Sequence, residues 1–282
     1  MSGARRIGFA YNPTKEEAVE LSARATGWCA QRGIESWVVP AGDTPGLLAA
    51  LPAVDVLVVL GGDGTFLRAA RAVAETSVPM VGVNLGKVGF LSKAEANELE
   101  DLLEKIDTGQ YRLEDRMALR GAIHGERGEA SPRSFIALND VVIARGALAR
   151  VVHLDVEIGP SHLATYVADG LIVASPTGST GYSFSAGGPI LDPVSRNLIV
   201  TPIAAYLSAL GSVVVSPDQV VRCRVVEALE ALVSVDGRDD FLIEVGDTVT
   251  VAALEQPIRF LEPDGAVPFW DLLRQKAQLL PS

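Results

Sequence analysis

A glycine-rich segment around one acidic residue is the first candidate for chemistry in this sequence. Gly61-Gly62-Asp63-Gly64-Thr65 directly follows an apolar run, Val54 to Leu60, and directly precedes a helical pattern. Glycines at such a junction let the backbone approach a phosphate closely, and the helix N-terminus adds an amide dipole that favours an anion. Thr65 is expected to cap that helix. A tight turn would explain one or two glycines, whereas three around a carboxylate favour a phosphate loop with Asp63 at the reaction centre.

Two better-known phosphate motifs do not occur in the sequence. The nearest approach to G-x-x-x-x-G-K-[ST] is Gly82 to Val88, which has the wrong spacing and a Val in place of the magnesium-binding hydroxyl. The G-x-G-x-x-G pattern fails because the run from Gly62 ends in Leu67. The fingerprints of a P-loop enzyme and of a typical Rossmann dehydrogenase are therefore excluded.

A hydroxyl- and glycine-rich segment, Asp169 to Pro189, is the second candidate. It offers many hydrogen-bonding groups and one aromatic face, as an adenine and ribose pocket requires. From the residues alone, a Ser/Gly loop that merely turns the chain stays open as the alternative.

Asn139-Asp140 can likewise simply end a strand, since both residue types favour turns. Asp236-Gly237 predicts a hairpin turn, with Arg238 beside it and able to touch a ligand.

The first half of the chain alternates short apolar runs with helical periodicity. Such alternation predicts an α/β domain with parallel strands and helices on both faces of the sheet. Ligands bind at the carboxyl ends of the strands in such sheets, where the glycine segment lies. The predicted strands are Arg5 to Tyr11, Ser36 to Val39, Val54 to Leu60 and Val78 to Val83, and the predicted helices are Pro13 to Arg32, Thr65 to Glu75 and Ala94 to Asp107.

From about Arg112 the pattern changes to extended segments separated by turns, which predicts an all-β second domain. The candidate strands are Phe135 to Ala144, Val151 to Ile158, Leu163 to Val167, Leu171 to Ala174, Val213 to Val215, Val220 to Val226, Leu232 to Val235, Thr248 to Leu254 and Ile258 to Leu261. The tail from Val267 to Leu280 regains helical spacing and is expected to pack back onto the first domain. We therefore predict an α/β glycine-loop domain at residues 1–117, to which 264–282 return, and a β-rich domain at 118–263.

The bulk composition limits the partners. The chain of 282 residues is 48% hydrophobic and carries 24 basic and 35 acidic residues, a formal net charge of −11, which argues against a nucleic-acid partner. No apolar run reaches the roughly 18 residues of a membrane span. Cys29 and Cys223 lie far apart, which fits a reducing compartment, and Met1 to Arg6 lacks the apolar region of a signal peptide. We expect a cytoplasmic protein with no nucleic-acid or membrane partner.

The two candidate segments together resemble the bacterial NAD kinases. The resemblance rests on Gly61 to Thr65, Asn84 to Leu91, Asn139-Asp140 and Asp169 to Pro189, in that order and spacing, and it extends to Pro268-Phe269-Trp270. The Gly-Gly-Asp-Gly element alone is shared with lipid kinases and sugar-phosphate kinases. The run of hydroxyl residues that ends in Ala-Gly-Gly-Pro is far more specific.

The resemblance implies a β-sandwich-like second domain, an NAD site between the domains, and a role for each matching residue. Asp63 would be catalytic, on a phosphate loop of Gly61, Gly62 and Thr65. The residues that would bind substrate are Gly64, Arg68, Phe90, Asn139, Asp140, Arg150, Asp169, Thr180, Gly181, Tyr182 and Ser185. Two positions depart from the usual pattern: Asp140 replaces a Glu and is one methylene shorter, and Gly181 replaces an Ala.

The implied reaction moves a phosphoryl group from ATP, or from inorganic polyphosphate, to the adenosine ribose 2′-hydroxyl of NAD. Mg²⁺ or another divalent cation would accompany ATP, and no metal ligand is assigned. A homodimer or homotetramer is implied. The alternatives are a lipid or other small-alcohol kinase that shares the glycine loop, and a non-catalytic NAD(P)-sensing protein.

Overall fold

The computed structural model describes residues 5–86, 89–125, 132–146, 150–206 and 210–278, without the side chains of 239, 277 and 278. The chain divides into two compact units, Met1–Asp115 with Ile258–Ser282, and Arg116–Pro257. The first unit is an α/β domain with a mostly parallel sheet, and the second is built from antiparallel strands. The predicted fold class is confirmed.

The strands are β1 Arg6–Tyr11, β2 Glu35–Pro40, β3 Val56–Leu60, β4 Met80–Asn84, β5 Ser92–Glu95, β6 Tyr111–Arg116, β7 Leu119–His124, β8 Arg133–Ala137, β9 Asp140–Arg145, β10 Val152–Ile158, β11 Ser161–Ala168, β12 Gly170–Ala174, β13 Leu198–Ile203, β14 Val213–Val215, β15 Val221–Glu227, β16 Ala231–Val235, β17 Asp239–Ile243, β18 Thr248–Ala253 and β19 Ile258–Pro263. The α-helices are α1 Glu16–Gln31, α2 Thr44–Ala50, α3 Asp63–Val73, α4 Leu99–Thr108, α5 Tyr182–Ser185 and α6 Phe269–Gln278. Short 3₁₀ turns cover Leu51–Ala53, Ala96–Glu98 and Thr177–Thr180.

The first unit is organised around β3, at the centre of its sheet. The strand order is β2-β1-β3-β4-β19-β6, with β5 paired to β4. Every residue of β3 is buried, because an all-apolar strand in a parallel sheet is covered by helices on both faces. The chain leaves β3 directly into the glycine segment, where the Gly61 N–H donates to the Val83 carbonyl at 3.0 Å. The sheet thereby holds the glycine segment at its carboxyl edge.

Helix α2 and strands β5 and β6 of the first sheet were not predicted. Helix α2 was not predicted because it is short and carries a proline in its first turn. The Asp43 side chain caps it by accepting from the Gly46 N–H at 3.0 Å. Strand β5 occupies positions that the prediction gave to the start of a helix. The helix α4 begins later, at Leu99, because Glu95 and Glu98 form a capping box that ends the extended segment and starts a 3₁₀ turn.

Strand β19 joins the sheet of the first unit, where Phe260 pairs with Met80 of β4. The predicted boundary had placed these residues in the second domain, with the return starting at residue 264. In the structure the return starts at Ile258. An apolar run such as Ile258 to Leu261 predicts a strand but carries no information about which sheet it enters, which explains the difference.

The second unit contains two six-stranded sheets that share one hydrophobic core. Their orders are β11-β10-β15-β18-β7-β8 and β14-β13-β12-β9-β16-β17. Strands β10, β15 and β16 alternate buried and more exposed residues, so each sheet presents one apolar face to that core. The predicted strand Phe135 to Ala144 is two strands, β8 and β9, in different sheets. They are separated at Leu138-Asn139, the point at which the second candidate site begins.

Helix α6 belongs to the first unit, as predicted. The Phe269 ring lies 6.1 Å from the Phe90 ring, centroid to centroid, and 5.0 Å from the Trp270 ring. Leu280, the predicted end of this helix, lies outside the described residues. Over the part of the chain that the structure describes, none of the helices has the length and apolar character needed to span a membrane.

Candidate active site

The glycine segment brings a helix N-terminus to the end of β3. Helix α3 begins at Asp63, with Gly62 as its N-cap residue. Thr65 therefore lies within the first turn and is not the cap that the sequence predicted; the residue is 3% exposed. A Cβ on Gly61 would lie 2.6 Å from the Thr65 hydroxyl oxygen, so the turn requires glycine there. The Thr65 N–H donates to the Gly62 carbonyl at 2.8 Å and closes the turn. The amides of Asp63 and Gly64 are the first-turn groups that can face an anion.

Asp63 is the first residue of α3 and carries a partly buried carboxylate. Its Oδ2 accepts a hydrogen bond from the Phe90 N–H at 3.3 Å. Its Oδ1 is buried and has no hydrogen-bond partner among the described residues. Burial raises the pKa of Asp63, and the backbone amides of Phe90 and Leu91 and the charge of Lys276 partly oppose that rise. The carboxylate thus keeps one acceptor oxygen uncommitted, and its raised pKa brings it closer to the range useful for accepting a proton.

Gly89 is the residue that lets this carboxylate occupy its position. A Cβ on Gly89 would overlap the carboxylate of Asp63. Residues Lys87 and Val88, part of the same predicted motif, lie outside the described residues. The segment that ends in Phe90 therefore contributes both an amide donor and the space for the acidic side chain.

The remaining predicted residues of this unit lie on or beside the same helix. Gly64 follows Asp63 in the first turn, and the side chain of Arg68, one turn further along α3, passes near Gly42. Asn84, at the end of β4, is 5% exposed, and its side-chain oxygen lies 3.8 Å from the point where a Cβ on Gly62 would sit. The structure thus brings Gly61, Gly62, Asp63, Gly64 and Phe90 together.

Asp63 is the acidic side chain that the glycine segment offers to a metal ion. Within the described residues, no group of three or more His, Cys, Asp or Glu side chains is arranged to hold a metal ion. Mg²⁺ in kinases is commonly held by one or two carboxylates together with substrate phosphates and water. The Asp63 Oδ1 is the uncommitted carboxylate oxygen of this site, open either to such a cation or to a proton.

A pocket of about 340 Å³ in the second unit gathers four of the residues predicted to bind the dinucleotide. Those four are Asn139, Asp140, Gly181 and Tyr182, and the wall is completed by Val142, Ser234, Asp236 and Gly237. Tyr182 is 49% exposed and begins α5, so its ring is open to a ligand. The Asn139 Oδ1 is buried without a partner among the described residues. An aromatic face, an unpaired amide oxygen and a carboxyl group suit a ligand that carries a ring and hydroxyl groups.

Asp236 holds the Asn139-Asp140 segment in place. Its carboxylate accepts hydrogen bonds from the backbone N–H groups of Asn139 at 2.8 Å, Leu138 at 3.1 Å and Asp140 at 3.3 Å. The Asp236 N–H in turn donates to the Asp140 carbonyl at 3.0 Å. Asp236 sits at φ +52°, in the turn between β16 and β17, so the predicted hairpin is present. Asp236 has a second role there, which is to hold the backbone of residues 138–140. Sequence reasoning missed this role.

Ser175 fixes the opposite side of the same segment. Its hydroxyl donates to the Leu138 carbonyl at 2.5 Å and accepts from the Gly178 N–H at 3.1 Å. The Ser175 N–H donates to the Asn139 carbonyl at 2.8 Å. A Cβ on Gly178 would overlap that carbonyl, so the hydroxyl-rich turn can approach Asn139 this closely because Gly178 has no side chain.

Asp140 is buried, with 6% of its surface exposed. Burial, and secondly the negative charge of Asp236, raise the pKa of Asp140 to about 7. Tyr182 and Asp236 are the other titratable groups among the described residues that line the pocket, and no described lining residue is basic. Asp140 can therefore present a protonated carboxyl group, a hydrogen-bond donor, near neutral pH.

Asp169 does not join Asn139 and Asp140 within this unit. In the β9–β12 ladder, Ala174 pairs with Asp140 while Gly170 pairs with Ala144. Asp169 therefore lies beyond the opposite end of β12, about 13 Å or more away at about 3.3 Å per residue. Its carboxylate instead pairs with Arg145, at 2.6 Å from Nε to Oδ1. The register of the two strands separates residues that the resemblance had grouped.

Three further predicted residues do not line the pocket. The Thr180 hydroxyl donates to the Thr177 carbonyl at 3.4 Å, within the 3₁₀ turn before Gly181. Ser185 is exposed at the end of α5, and Arg150 is exposed just before β10. Their assignment to the substrate stays a prediction.

The comparisons with known proteins agree on one family. Residues 44–111 match the model of the ATP-NAD kinase N-terminal domain, and 138–262 match that of the ATP-NAD kinase C-terminal domain. An NAD kinase from Natranaerobius thermophilus is 40% identical over 256 residues, which cover 88% of this chain and 89% of that protein.

Two solved structures share the fold. The yeast NADH kinase complexed with NADH aligns with a TM-score of 0.84 at 20% identity, over 99% of this chain and 89% of that one. An NAD kinase from Archaeoglobus fulgidus in complex with ATP aligns with a TM-score of 0.77 at 24% identity, over 98% of this chain and 100% of that one.

Proposed function

Because this chain belongs to the ATP-NAD kinase family, we propose that it transfers the γ-phosphoryl group of ATP to the adenosine ribose 2′-hydroxyl of NAD, giving NADP and ADP. The observation that carries the proposal is the position of Asp63. It stands at the N-terminus of α3 with a buried, unpaired carboxylate oxygen, in a segment whose amides can receive phosphate. Phosphoryl transfer needs such positioning and charge neutralisation more than covalent chemistry.

In the proposed step, the 2′-oxygen of NAD forms a bond to the γ-phosphorus of ATP while the bond from that phosphorus to the β,γ-bridging oxygen breaks. The hydroxyl proton passes to the Asp63 carboxylate. The raised pKa of Asp63 favours this role, and a base of ordinary Asp pKa would more readily orient the hydroxyl or accept the proton late. A divalent cation bound with ATP would neutralise phosphate charge, and the phosphates and water would hold it, because the Asp63 Oδ1 receives the hydroxyl proton.

The pocket of the second unit supports the assignment of the acceptor. Tyr182 offers a face for stacking, and Asn139 and Asp140 offer an amide oxygen and a carboxyl group for ribose hydroxyls or a base edge. Asp140 is shorter than the usual Glu, but its pKa of about 7 lets it donate as well as accept. Arg68, Arg150, Asp169, Thr180 and Ser185 are proposed as further substrate contacts on the strength of the family pattern.

Several finer points belong to the proposal. We infer that Mg²⁺ or a similar divalent cation accompanies the donor, that polyphosphate is an alternative donor, and that the chain acts in the cytoplasm. A homodimer or homotetramer is expected from the family pattern. We also propose that the second unit, Arg116–Pro257, binds NAD and that the first unit, with the glycine loop, binds the donor.

Two rival functions are weaker. A lipid or other small-alcohol kinase would require an apolar acceptor groove, whereas the described pocket carries a tyrosine, an asparagine and two aspartates. A non-catalytic NAD(P)-sensing protein would have no use for a carboxylate of raised pKa beside a phosphate loop.

One assay separates the three functions. The purified chain is incubated with ATP and Mg²⁺ and with NAD, NADH or a diacylglycerol as acceptor, and NADP(H) is detected with an NADP-specific dehydrogenase. The proposal predicts NADP⁺ formation from NAD. Phosphorylated lipid without NADP⁺ would support the first rival, and NAD binding without turnover would support the second.

A further inference from the structure

The family match and the glycine loop leave open which side chain of the first unit neutralises the phosphate charge beside Asp63. The chain carries a net charge of −11, so the positive potential for a triphosphate must be local. The Walker-type lysine that performs this task in P-loop enzymes does not occur in this sequence. The described structure places a lysine from a distant part of the chain near the glycine loop.

That lysine is Lys276, on α6. Its ammonium nitrogen lies 5.2 Å from the centroid of the Phe90 ring, within the range of a cation–π contact. The backbone N–H of Phe90 donates to the Asp63 carboxylate. Lys276 therefore reaches the same short segment that holds Asp63, although it is far away in sequence.

The position of Lys276 is fixed by the docking of α6. Phe269 and Lys276 are seven residues apart, two helical turns, so their side chains share one face of the helix. The Phe269 ring lies 6.1 Å from the Phe90 ring, centroid to centroid. Phe269 and Lys276 therefore both hold this face of α6 against Phe90. The charge of Lys276 is also felt at the reaction centre, since it acts to lower the pKa of Asp63.

We propose that Lys276 is a substrate-binding residue of the glycine loop, and that its ammonium group contacts the phosphates of the donor nucleotide. The inference rests on the proposed kinase function. The Lys276 ammonium group lies over the Phe90 ring, and α6 thereby adds a second cation near the glycine loop beside Arg68 of α3. Helix α6 then contributes to the binding of the donor nucleotide as well as to the packing of the first unit.

The test compares Lys276→Met, which keeps the long apolar stem without the charge, with Lys276→Arg, which keeps the charge. The matched control is Arg274→Met, on the same helix, where the side chain is 69% exposed and pairs with Asp271. Steady-state kinetics are measured with MgATP and NAD varied in turn. Thermal unfolding of each variant is measured alongside.

We expect Lys276→Met to lower kcat/KM for MgATP by about tenfold to a hundredfold, the range for losing a charged hydrogen bond. The KM for NAD should change by less than about threefold, and Lys276→Arg should recover most of the loss. Wild-type kinetics in Lys276→Met would overturn the proposal. A loss that Lys276→Arg does not recover would overturn it too, since that result would assign Lys276 to helix packing.

A binding measurement keeps the inference testable apart from catalysis. Calorimetry with inorganic tripolyphosphate and with adenosine is applied to the wild type, to Lys276→Met and to Lys276→Gln, the last serving if the Met variant unfolds. We expect weaker tripolyphosphate binding in the lysine variants and unchanged adenosine binding. Equal tripolyphosphate affinity in all proteins would contradict the role of Lys276, whereas absence of NADP⁺ formation by the wild type would contradict the kinase function alone.

Discussion

The carboxylate of Asp236 lies 2.8 Å from the backbone nitrogen of Asn139, and it binds two neighbouring N–H groups as well. These contacts set the position of Asn139 and Asp140, because three successive N–H groups converge on one buried carboxylate. Asp236 is 7% exposed, so the interaction is shielded from water and is correspondingly strong. Asp236 is a positioning residue for the pocket of the second unit.

Replacing Asp236 is expected to weaken NAD binding more than turnover. Asn tolerates the left-handed backbone at φ +52°, so Asp236→Asn keeps the hairpin while losing the charge and one acceptor oxygen. We expect the KM for NAD to rise about tenfold, in line with the loss of charged hydrogen bonds, with a smaller change in kcat. The control is Asp247→Asn, at another turn, where the carboxylate accepts from the Glu244 N–H at 2.9 Å and does not line the pocket. Equal KM values for wild type and Asp236→Asn would contradict the positioning role.

A pair of glycine substitutions tests the approach of the 89–90 segment to Asp63. A Cβ on Gly89 would overlap the Asp63 carboxylate, whereas a Cβ on Gly86 would meet no atom within 4 Å. Gly89→Ala is expected to displace the carboxylate and lower kcat by about a hundredfold, a typical effect of misplacing a catalytic group. Gly86→Ala should leave kcat unchanged. Similar rates in the two variants would show that the carboxylate is not held where the structure places it.

The raised pKa of Asp140 predicts how stability depends on pH. A carboxyl group whose folded pKa is about 7, above an unfolded value of about 3.9, gives stability that is complete below about pH 4 and is lost as pH rises through 7. Asp140→Asn is neutral at every pH and does not lose this contribution. The melting temperature of the variant relative to wild type should therefore be higher at pH 8 than at pH 4, as measured by thermal unfolding. A difference in Tm that does not change with pH would contradict the raised pKa.

Local patterns predicted the parts of the fold that one stretch of sequence determines. Strand β3 was evident because all of its residues are apolar, and the glycine segment was evident because it follows that strand directly. Strands β10 and β15 were predictable because their buried and more exposed residues alternate along one stretch of sequence. The sheet that β19 enters was not readable, since an apolar run does not specify its partner.

The residues of the candidate site were likewise predictable only where a local motif contains them. Asp63, Asn139, Asp140 and Tyr182 belong to motifs that adjacent residues define. The positioning role of Asp236 was not predicted because its partner Asn139 is 97 residues away. An Asp-Gly pair by itself predicts only a turn. Thr65 was misplaced by one turn, because sequence does not fix at which residue of a glycine run the helix begins. The separation of Asp169 from Asp140 follows from the β9–β12 register, which no local pattern encodes.

The most direct test of the central claim compares wild type and Asp63→Asn for NAD binding and for NADP⁺ formation with ATP and Mg²⁺. Asp101→Asn is the control, an exposed helical carboxylate paired with Lys105 at 2.9 Å. We predict that wild type and control form NADP⁺, that Asp63→Asn binds NAD with an unchanged Kd, and that its kcat falls by about 10² to 10⁴, the range for a general base. A kcat of Asp63→Asn within about tenfold of wild type would exclude Asp63 as the essential proton acceptor, and no NADP⁺ from the wild type would contradict the kinase assignment itself.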